Sequence, residues 1–402
     1  MKRDCSICGS KRKSVVYQPR FNSPSGHGDY TGYDVVVCER CDFAYADEVP
    51  PQAFFESYYK TPIKTVQSLA TRRSSQVGEK GFECASDLRL HASTLNTLKS
   101  LVSQRRRVLD VGCGSGHLLS LLRDAGYEHL MGIEPSAVAS SIARQEYGLE
   151  VITASLFDDL EVGEFDFLIL SHVLEHVSEL RHFLWGCARL LAEGGQVYIE
   201  VPDASQFGLS LDSRMESVCE HNKDLFSQFC PEHVNFFTRV SLENLMVACG
   251  FRKVFLEPRV SIMGVIGSAW DRVPLQKDQA VRGALQSYIE GAEAACQAPV
   301  AVIEEILASE KEIVVWGAGL HTQRLLAISK LGSVRIRAFV DSNQAYQGQQ
   351  LAGRPIIGPD QVCQFPNLPI LISSKRQQAE IGGQIGAMGL PNPILLLYPQ
   401  PK

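Results

Sequence analysis

The sequence predicts an α/β protein in which helices alternate with the strands of parallel sheets, preceded by a small cysteine-rich domain. Two glycine turns, Gly112–Gly116 and Gly317–Gly319, each follow a short apolar run and precede a helical pattern. Two C-x-x-C cysteine pairs lie near the start of the chain. A chain of 402 residues is long enough for two or three domains. We therefore predict three domains, at residues 1–60, 85–270 and 277–402.

The cysteine pairs indicate a metal site in the first domain. Cys5 and Cys8 form one pair, and Cys38 and Cys41 form the other. Four thiolates suit a tetrahedral Zn²⁺, and a segment this short cannot build a sufficient core alone. Reduced surface pairs and a redox-active C-x-x-C are the alternatives. Because four thiolates leave no open position for a substrate, we expect a structural Zn²⁺.

Apolar periodicity predicts the elements that follow. The leucines between residues 88 and 102 recur at helical spacing, whereas the polar stretch 58–81 is typical of a linker or lid. Further helices are predicted at 117–125, 138–148, 180–191 (stopped by Gly194–Gly195), 241–249 and 277–310, and from Thr322. Strands are predicted at 108–111, 129–133, 150–154, 165–170, 196–201, 312–316 and 336–340. An antiparallel pair, 253–256 and 261–266, closes the first sheet.

The first glycine turn has the pattern of a ligand-binding loop. Its three glycines allow a tight turn and the close approach of a ligand to a helix N-terminus. A dinucleotide site favours G-x-G-x-x-G, whereas this turn reads D-x-G-x-G-x-G, in which Asp110 is placed to hold a cationic ligand. Glu134 ends the next strand, where a carboxylate can accept both hydroxyls of a ribose. A purely structural glycine turn is the alternative.

This pattern resembles motif I of the class I S-adenosylmethionine methyltransferases. The resemblance implies a Rossmann-like sheet and S-adenosylmethionine as the cofactor. In an open parallel sheet the ligand lies beyond the carboxyl ends of the strands, which brings Ser171 toward the methionine end of the cofactor. The expected cofactor-binding residues are Asp110, Gly112, Cys113, Gly114, Gly116, Glu134, Pro135, Ser155, Leu156 and Ser171.

Two histidines are candidates for chemistry. His176 follows the strand 165–170, in the tract Leu-Glu-His-Val, and a role in helix packing is the alternative. His233 follows Glu232 on a predicted loop after the fifth strand, a position at which loops carry substrate groups in such folds. A carboxylate beside an imidazole can orient it and raise its basicity. A histidine that closes the loop by hydrogen bonding is the structural alternative for His233.

Taken together, these features resemble a family of three-domain sugar C-methyltransferases of antibiotic deoxysugar pathways. The resemblance covers nearly the whole chain and implies methylation of a carbon next to the keto group of a nucleotide-linked 4-keto sugar. It also implies that His233 removes the carbon-bound proton, while Glu232 and His176 assist or bind the sugar. The family has a tyrosine three residues before the histidine, where this chain has Cys230. The tract 213–229 is also longer, so O- or N-methylation stays open.

The second glycine turn lies in a domain that is similar to the nucleotide-sugar-binding domains of sugar-modifying enzymes. Thr322 stands where a dinucleotide fingerprint has its third glycine, which argues against a bound NAD. We expect this Rossmann-like domain to bind the nucleotide or phosphate part of the acceptor, and a purely structural turn is the alternative. The expected substrate-binding residues are Gly317, Gly319, His321, Thr322 and Asp341.

Composition limits the function classes. The net charge is −6, and mixed charge along the chain lacks the electrostatic footprint of a nucleic-acid-binding protein. We therefore expect a small-molecule substrate, no nucleic acid and no membrane; the patterns do not predict an oligomeric state. Scattered cysteines and an opening without an apolar signal segment favour the cytoplasm. A zinc-ribbon protein that only senses S-adenosylmethionine is the alternative from another class, although a sensor has no need of the Glu232–His233 pair.

Overall fold

The computed structural model describes residues 1–22, 30–60, 85–211, 226–256, 261–266, 274–375 and 377–398. Most of the predicted linker or lid, from residue 61, lies outside these residues, as does most of the tract 213–229. The chain divides into two compact units. The first contains Met1–Val16, Asp34–Phe207 and Glu232–Leu285, and the second contains Tyr17–Tyr33, Gly208–Pro231 and Gln286–Lys402.

The described residues form helices and strands along most of the chain. The α-helices are α1 Gln52–Lys60, α2 Ala85–Leu101, α3 His117–Asp124, α4 Ala137–Tyr147, α5 Leu180–Arg189, α6 Arg239–Ala248, α7 Val281–Ala308, α8 Leu320–Ile328 and α9 Gln378–Ala387. The strands are β1 Lys13–Tyr17, β2 Asp34–Cys38, β3 Ala44–Asp47, β4 Arg107–Val111, β5 His129–Ile133, β6 Val151–Ile152, β7 Phe165–Ser171, β8 Leu191–Glu200, β9 Asn235–Phe236, β10 Phe251–Leu256, β11 Ser261–Ile266, β12 Glu312–Trp316, β13 Arg335–Val340, β14 Gln350–Leu351, β15 Arg354–Ile357, β16 Ile370–Ile372 and β17 Ile394–Leu396. Among these residues, no helix is both long and apolar enough to cross a membrane.

The first unit contains a seven-stranded Rossmann-like sheet in the order β10-β11-β8-β7-β4-β5-β6. Strands β4 to β8 pair in parallel, whereas β11 pairs antiparallel with both β8 and β10. The predicted parallel sheet and its closing antiparallel pair are confirmed. Chain order reverses on the two sides of β4, so β4 and β7 meet at the topological switch point where such sheets bind ligands.

Alternation along β7 builds an apolar core on each face of this sheet. Phe167 and Ile169 belong to a buried cluster that contains residues of α3, such as Leu119. Leu168 and Leu170 belong to the opposite cluster, with residues of α5. Each fully buried apolar side chain of this size contributes about 1.5–3 kcal/mol to folding, so two packed faces hold the strand ends in place.

The cysteine-bearing segment forms a four-stranded sheet in the order β1-β2-β3-β9. Its last strand, β9, comes from the segment just after His233 and pairs antiparallel with β3, where Ala44 lies opposite Phe236. Arg3 donates to the backbone carbonyls of Ala46 and Val234. The N-terminal segment therefore anchors the backbone that carries His233.

The second unit contains a six-stranded Rossmann-like sheet in the order β14-β15-β13-β12-β16-β17. β12 pairs in parallel with β13 and with β16, and it is buried after its first residue. Helix α8 follows β12 through the second glycine turn. This arrangement confirms the predicted second Rossmann-like sheet, whose switch point lies at β12 and β16.

Several predicted boundaries were wrong. Helix α5 ends at Arg189, before the pair Gly194–Gly195, because β8 already begins at Leu191, which pairs with Phe165 and is buried. The two glycines lie inside β8, where its register with β7 shifts. The predicted strand 150–154 is reduced to Val151–Ile152. The predicted linker 58–81 overlaps the end of helix α1, and α8 begins two residues before Thr322.

Candidate active site and metal centre

The first glycine turn forms a cradle at the carboxyl end of β4. The backbone N–H of Gly114 donates to Glu134 Oε2 at 3.0 Å, and the N–H of Ser136 donates to Glu134 Oε1 at 2.7 Å. Gly116 has a φ of 84°, and a Cβ there would lie 2.6 Å from Leu149 Cδ1. Glycine is therefore required at Gly116 for both conformation and space.

Two acids face this cradle with little access to water. Asp110 and Glu134 are 3% and 8% exposed. Burial, reinforced by the charge of Glu134, raises the pKa of Asp110 to about 7. Burial also raises the pKa of Glu134, although the N–H groups of Ser136 and Gly114 oppose that shift. A cationic ligand would favour the ionised form of both acids. Two ionised carboxylates would in turn stabilise a sulfonium or ammonium group bound beside them.

The other predicted cofactor residues follow the ends of neighbouring strands. Cys113 lies in the glycine turn, and burial raises the pKa of its thiol. Pro135 precedes Ser136, which caps helix α4. Ser155 and Leu156 follow β6, and Ser171 ends β7. Because β4, β5, β6 and β7 are parallel, the structure brings these residues to one edge of the sheet.

One buried acid at this edge was missed from the sequence. Glu200, at the end of β8, is 4% exposed and accepts a hydrogen bond from Thr94 Oγ1 at 2.8 Å. Tyr198 and Ser171 also donate to the same oxygen, Oε2, at 3.3 and 3.5 Å. The sequence signal that could have identified it is an acid near the end of a predicted buried strand, two residues before Pro202.

A cluster of imidazoles surrounds a buried carboxylate after β7. Glu175 lies in a short 3₁₀ helix, Leu174–His176, and its side chain is 3% exposed. Its Oε1 lies 3.2 Å from His172 Nδ1 and 3.9 Å from His176 Nε2. Ligating atoms of Glu175, His176 and His233 all lie within 4.8 Å of one another. The two imidazole rings of His176 and His233 meet edge to face, with centroids 4.9 Å apart.

Backbone contacts hold the two histidine-bearing segments together. The N–H of Val234 donates to the carbonyl of Glu175 at 2.8 Å. Asn235 Nδ2 donates to the carbonyls of Leu174 and Val177, both at 2.7 Å. His176 Nδ1 lies 3.1 Å from the carbonyl oxygen of Glu232. The cluster is therefore a fixed feature of the fold.

The structure brings together the predicted pair His176 and His233, but it places Glu175 at the centre of the cluster. Glu232, which the sequence suggested as the partner carboxylate, receives a hydrogen bond from Tyr59 Oη at 3.5 Å. The Tyr59 ring also packs against His176, with centroids 5.8 Å apart. Sequence reasoning missed Glu175 and Tyr59, because the tract Leu-Glu-His-Val alone does not say which side chain turns inward.

Competing effects set the protonation of Glu175. Burial raises its pKa, but the hydrogen bond with His172 and the charges of His176, His172 and His233 together lower it by more than burial raises it. The pKa of Glu175 therefore lies at about 2. The carboxylate is therefore ionised at neutral pH. A buried carboxylate beside imidazoles stabilises a positive charge on them, as a general base requires when it takes a proton.

The four cysteines converge on one point in the first unit. Cys5 Sγ lies 3.6 Å from Cys41 Sγ, and Cys8 Sγ lies 3.5 Å from Cys38 Sγ. Four sulfurs at about 2.3 Å from a tetrahedral Zn²⁺ would be about 3.8 Å apart, so these distances fit that ion. Each pair forms the same knuckle, because the carbonyls of Cys5 and Cys38 each accept the N–H four residues later.

The second glycine turn repeats the cradle of the first. The N–H of Ala318 donates to Asp341 Oδ2 at 2.8 Å, much as Gly114 donates to Glu134. Gly317 has a φ of 112°, and a Cβ there would lie 2.9 Å from the carbonyl oxygen of Ser373. Burial raises the pKa of Asp341, as it does for Glu134.

The remaining predicted residues of the second unit surround its cradle. Gly319 precedes helix α8, and Thr322 Oγ1 donates to the carbonyl of Gly317 at 2.7 Å. His321 Nε2 lies 2.8 Å from Tyr398 Oη. Asn343 is 4% exposed, and its Nδ2 has no hydrogen-bond partner among the described residues. The carboxyl ends of β12 and β13 therefore present an acid, an imidazole and an unused amide donor.

Comparisons with known proteins agree with this geometry. Residues 82–255 match a family model described as a methyltransferase domain, and residues 309–394 match one described as C2185-like, N-terminal. The chain is similar to the ubiquinone biosynthesis O-methyltransferase of Aromatoleum aromaticum, with 36% identity over 100 residues, 23% of this chain and 42% of that protein. The mitochondrial ubiquinone biosynthesis O-methyltransferase of Mus musculus is 28% identical over 167 residues, 37% of this chain and 45% of that protein.

A solved structure, magnesium protoporphyrin IX methyltransferase from Synechocystis PCC 6803 with bound S-adenosylhomocysteine, is 16% identical. The aligned region covers 54% of this chain and 99% of that protein's chain, with a TM-score of 0.39. The chain spans less than half the length of the two curated relatives.

The matched family model and the strand order define a class of protein. The chain contains a class I S-adenosylmethionine-dependent methyltransferase domain of the α/β type. Its glycine turn and Glu134 follow the carboxyl ends of β4 and β5, beside the switch point at which open parallel sheets bind ligands. The flanking cysteine cluster and the second Rossmann-like unit distinguish the chain from a methyltransferase domain alone.

Proposed function

We propose that this protein is an S-adenosylmethionine-dependent methyltransferase that methylates carbon in a small, nucleotide-linked keto sugar in the cytoplasm. The observation that carries the proposal is the cluster of His176 and His233 around the buried carboxylate of Glu175. A carbon acid next to a keto group needs a base, because its proton does not leave unaided. A methyltransferase that acts on an already nucleophilic amine has less need of one.

The cofactor site follows from the first cradle. Glu134 accepts the ribose hydroxyls, the glycine turn and Cys113 border the amino-acid end, and Asp110 balances positive charge. Pro135, Ser155, Leu156 and Ser171 line the remaining strand ends. S-adenosylmethionine supplies a methyl group on a sulfonium leaving group. The chain must therefore align donor and acceptor and remove one proton.

His233 is the proposed base. Its imidazole takes the proton from the carbon next to the keto group. His176 contacts the His233 ring and, with Glu232 and Tyr59, offers polar atoms to the sugar. Cys230 is buried, and its thiol cannot supply the strong hydrogen bond of the family tyrosine to an enolate oxygen.

The second unit is the proposed anchor for the nucleotide. Asp341 would accept hydroxyls of a ribose as Glu134 does, and His321 with the turn Gly317–Gly319 and Thr322 would face the phosphates. Repetition of the same N–H-to-carboxylate contact in both units supports this assignment. Binding energy from a remote part of a substrate can be used to position its reacting part.

A structural Zn²⁺ is proposed at Cys5, Cys8, Cys38 and Cys41, since the sulfur distances fit a tetrahedral ion. The ion would fix the N-terminal sheet to which β9 belongs, and through β9 the backbone beside His233. It has no open coordination position and takes no part in the methyl transfer.

The test combines product identification for a panel of substrates with a measurement of the exchange of the acceptor proton with D₂O. Purified protein is incubated with S-adenosylmethionine and nucleotide-linked 4-keto sugars, and the products are identified by mass spectrometry and NMR. A new carbon-bound methyl group, and exchange of the acceptor proton with D₂O that depends on His233, are the expected results. Absence of both with every keto sugar, together with turnover of another acceptor, would reject the assignment.

O-methylation of another small metabolite is the second candidate. It is favoured by the names of the curated relatives, which are O-methyltransferases, and by Cys230 in place of the family tyrosine. In the same assay it would give a methoxy signal and no exchange of a carbon-bound proton. Binding of S-adenosylmethionine without turnover of any acceptor would instead support a sensor.

A further inference from the structure

We infer that Glu175 is a positioning residue whose buried carboxylate holds His176 and His233 and stabilises the imidazolium that forms when His233 takes the acceptor proton. The reaction named here rests on the proposed function. The electrostatic role of Glu175 does not, because it can be measured on the imidazoles without any substrate.

The carboxylate of Glu175 is buried beside two imidazoles. Only 3% of the Glu175 side chain is exposed, and one oxygen, Oε1, lies between His172 Nδ1 at 3.2 Å and His176 Nε2 at 3.9 Å. The other oxygen, Oε2, is buried and has no hydrogen-bond partner among the described residues. A buried, ionised oxygen without a donor is costly, and functional sites are where such groups are retained.

Hydrogen bonds tie the segment that bears Glu175 to the segment that bears His233. The carbonyl of Glu175 accepts the N–H of Val234, so the backbone next to His233 is tied to the residue that bears the carboxylate. Asn235 donates to the carbonyls on either side, those of Leu174 and Val177. Arg3 in turn donates to Asn235 Oδ1. These contacts fix, relative to each other, the two backbone segments that bear the Glu175 carboxylate and the His233 ring.

Several other titratable groups surround the Glu175 carboxylate. Titratable groups face the cluster from three elements: Tyr59 from α1, His172 and His176 from the segment after β7, and Glu232 with His233 from the loop before β9. Arg3 lies behind Asn235 and donates to backbone and amide oxygens. Glu175 is the buried carboxylate among these groups, whereas Glu232 is partly exposed.

The proton and electron balance gives Glu175 its role. The acceptor C–H bond breaks, and its proton moves to a ring nitrogen of His233. The electron pair left on carbon forms the new C–CH₃ bond, while the S–CH₃ bond breaks and its pair stays on sulfur. The sulfonium charge is thereby replaced by an imidazolium charge, and the nearby carboxylate lowers the free energy of that imidazolium.

The test is a pH titration by NMR of the imidazole C2–H signals in Glu175→Gln and in a matched control, Glu179→Gln. Glu179 forms the same carboxylate-to-imidazole contact with His182 three residues away, at 3.4 Å, but on the surface. In Glu175→Gln we expect the pKa of His176 and of His233 to fall by about one unit or more. In Glu179→Gln we expect both to stay unchanged.

Activity gives the second measurement. In Glu175→Gln, kcat should fall by about 10- to 100-fold, the acid limb of the pH–rate profile should move to lower pH, and KM for S-adenosylmethionine should stay within about twofold. Glu175→Asp should recover part of the rate. A merely structural role for Glu175 would not move the imidazole titrations or the pH profile.

The outcomes separate this inference from the proposed function. Unchanged imidazole titrations in Glu175→Gln would overturn the inference even if keto sugars are substrates. Shifted titrations would support it even if another acceptor is methylated. Loss of a second equivalent of bound metal in Glu175→Gln would make the cluster a metal site and overturn the inference. If Glu175→Gln fails to fold, pKa values of His176 and His233 below about 6.5 in the unchanged protein would overturn it instead.

Discussion

Replacing Glu134 by alanine tests the cofactor site at the group with the best-defined contacts. The carboxylate accepts N–H donors from Gly114 and Ser136, so it is oriented before any ligand binds. Its remaining lone pairs are the acceptors that we assign to the two ribose hydroxyls. Alanine removes these acceptors and also the carboxylate to which the two N–H groups of the buried cradle donate.

The magnitude follows from these contacts. A hydrogen bond to a charged group contributes about 1.5–3 kcal/mol, so the loss of two ribose hydrogen bonds costs about 3 kcal/mol at the lower limit. That energy corresponds to an affinity for S-adenosylmethionine weaker by on the order of a hundredfold. The free energy of unfolding should also fall, by about 1–3 kcal/mol, because buried donors lose their acceptor.

The assay is isothermal titration calorimetry with S-adenosylmethionine, accompanied by thermal unfolding. Glu150→Ala is the matched control, since Glu150 is an exposed acid that directly precedes strand β6, at the end of that strand away from the cradle. We expect Glu150→Ala to bind as the unchanged protein does. Equal affinity in Glu134→Ala and in the control would refute the assignment of the ribose site to Glu134.

Three further predictions concern Asp110, the cysteine cluster and Asp341. The pKa of Asp110 is raised to about 7, and only its ionised form attracts a cation. Affinity for the cationic cofactor should therefore increase as the pH rises through about 7, by at most about tenfold per pH unit. Calorimetry should find a weaker pH dependence in Asp110→Asn. Cys38→Ser should lose the proposed Zn²⁺ and lower the melting temperature, whereas Cys363→Ser, at an exposed thiol, should change neither the metal content nor the melting temperature. Metal analysis and calorimetry measure the two. In steady-state kinetics, Asp341→Ala should raise KM for a nucleotide-linked acceptor about tenfold or more, with affinity for S-adenosylmethionine unchanged. Asp360→Ala, at an exposed acid, is the control, and an equal effect of the two variants on KM would contradict a nucleotide site at Asp341.

Both sheets could be predicted from the sequence because their central strands are buried on two faces. A strand such as Phe165–Ser171 has a nearly continuous apolar pattern, which parallel sheets produce and surface strands do not. A glycine turn directly after such a strand is either a ligand-binding loop or a purely structural turn, so few alternatives had to be considered. Glu134 and Asp341 could be found because each acid comes directly after the strand that follows a glycine turn.

The centre of the histidine cluster could not be predicted in the same way. Glu175 and Glu232 each precede a histidine, and nothing local decides which carboxylate is buried. The decision is made by long-range contacts, such as the pairing of β9 with β3 and the hydrogen bond from Val234 to Glu175. The end of α5 was misplaced for a related reason, because the pairing of Leu191 with Phe165 outweighs the local preference for helix.

The central claim is that His233 removes a carbon-bound proton so that carbon can accept the methyl group. The most direct test measures methyl transfer and D₂O exchange of the acceptor proton in His233→Ala, with His129→Ala, at an exposed histidine, as the control. We expect both rates to fall by about 10²–10⁴-fold in His233→Ala while affinity for S-adenosylmethionine is retained. A transfer rate near that of the control would contradict it, and would leave His233 as a residue that closes the loop before β9.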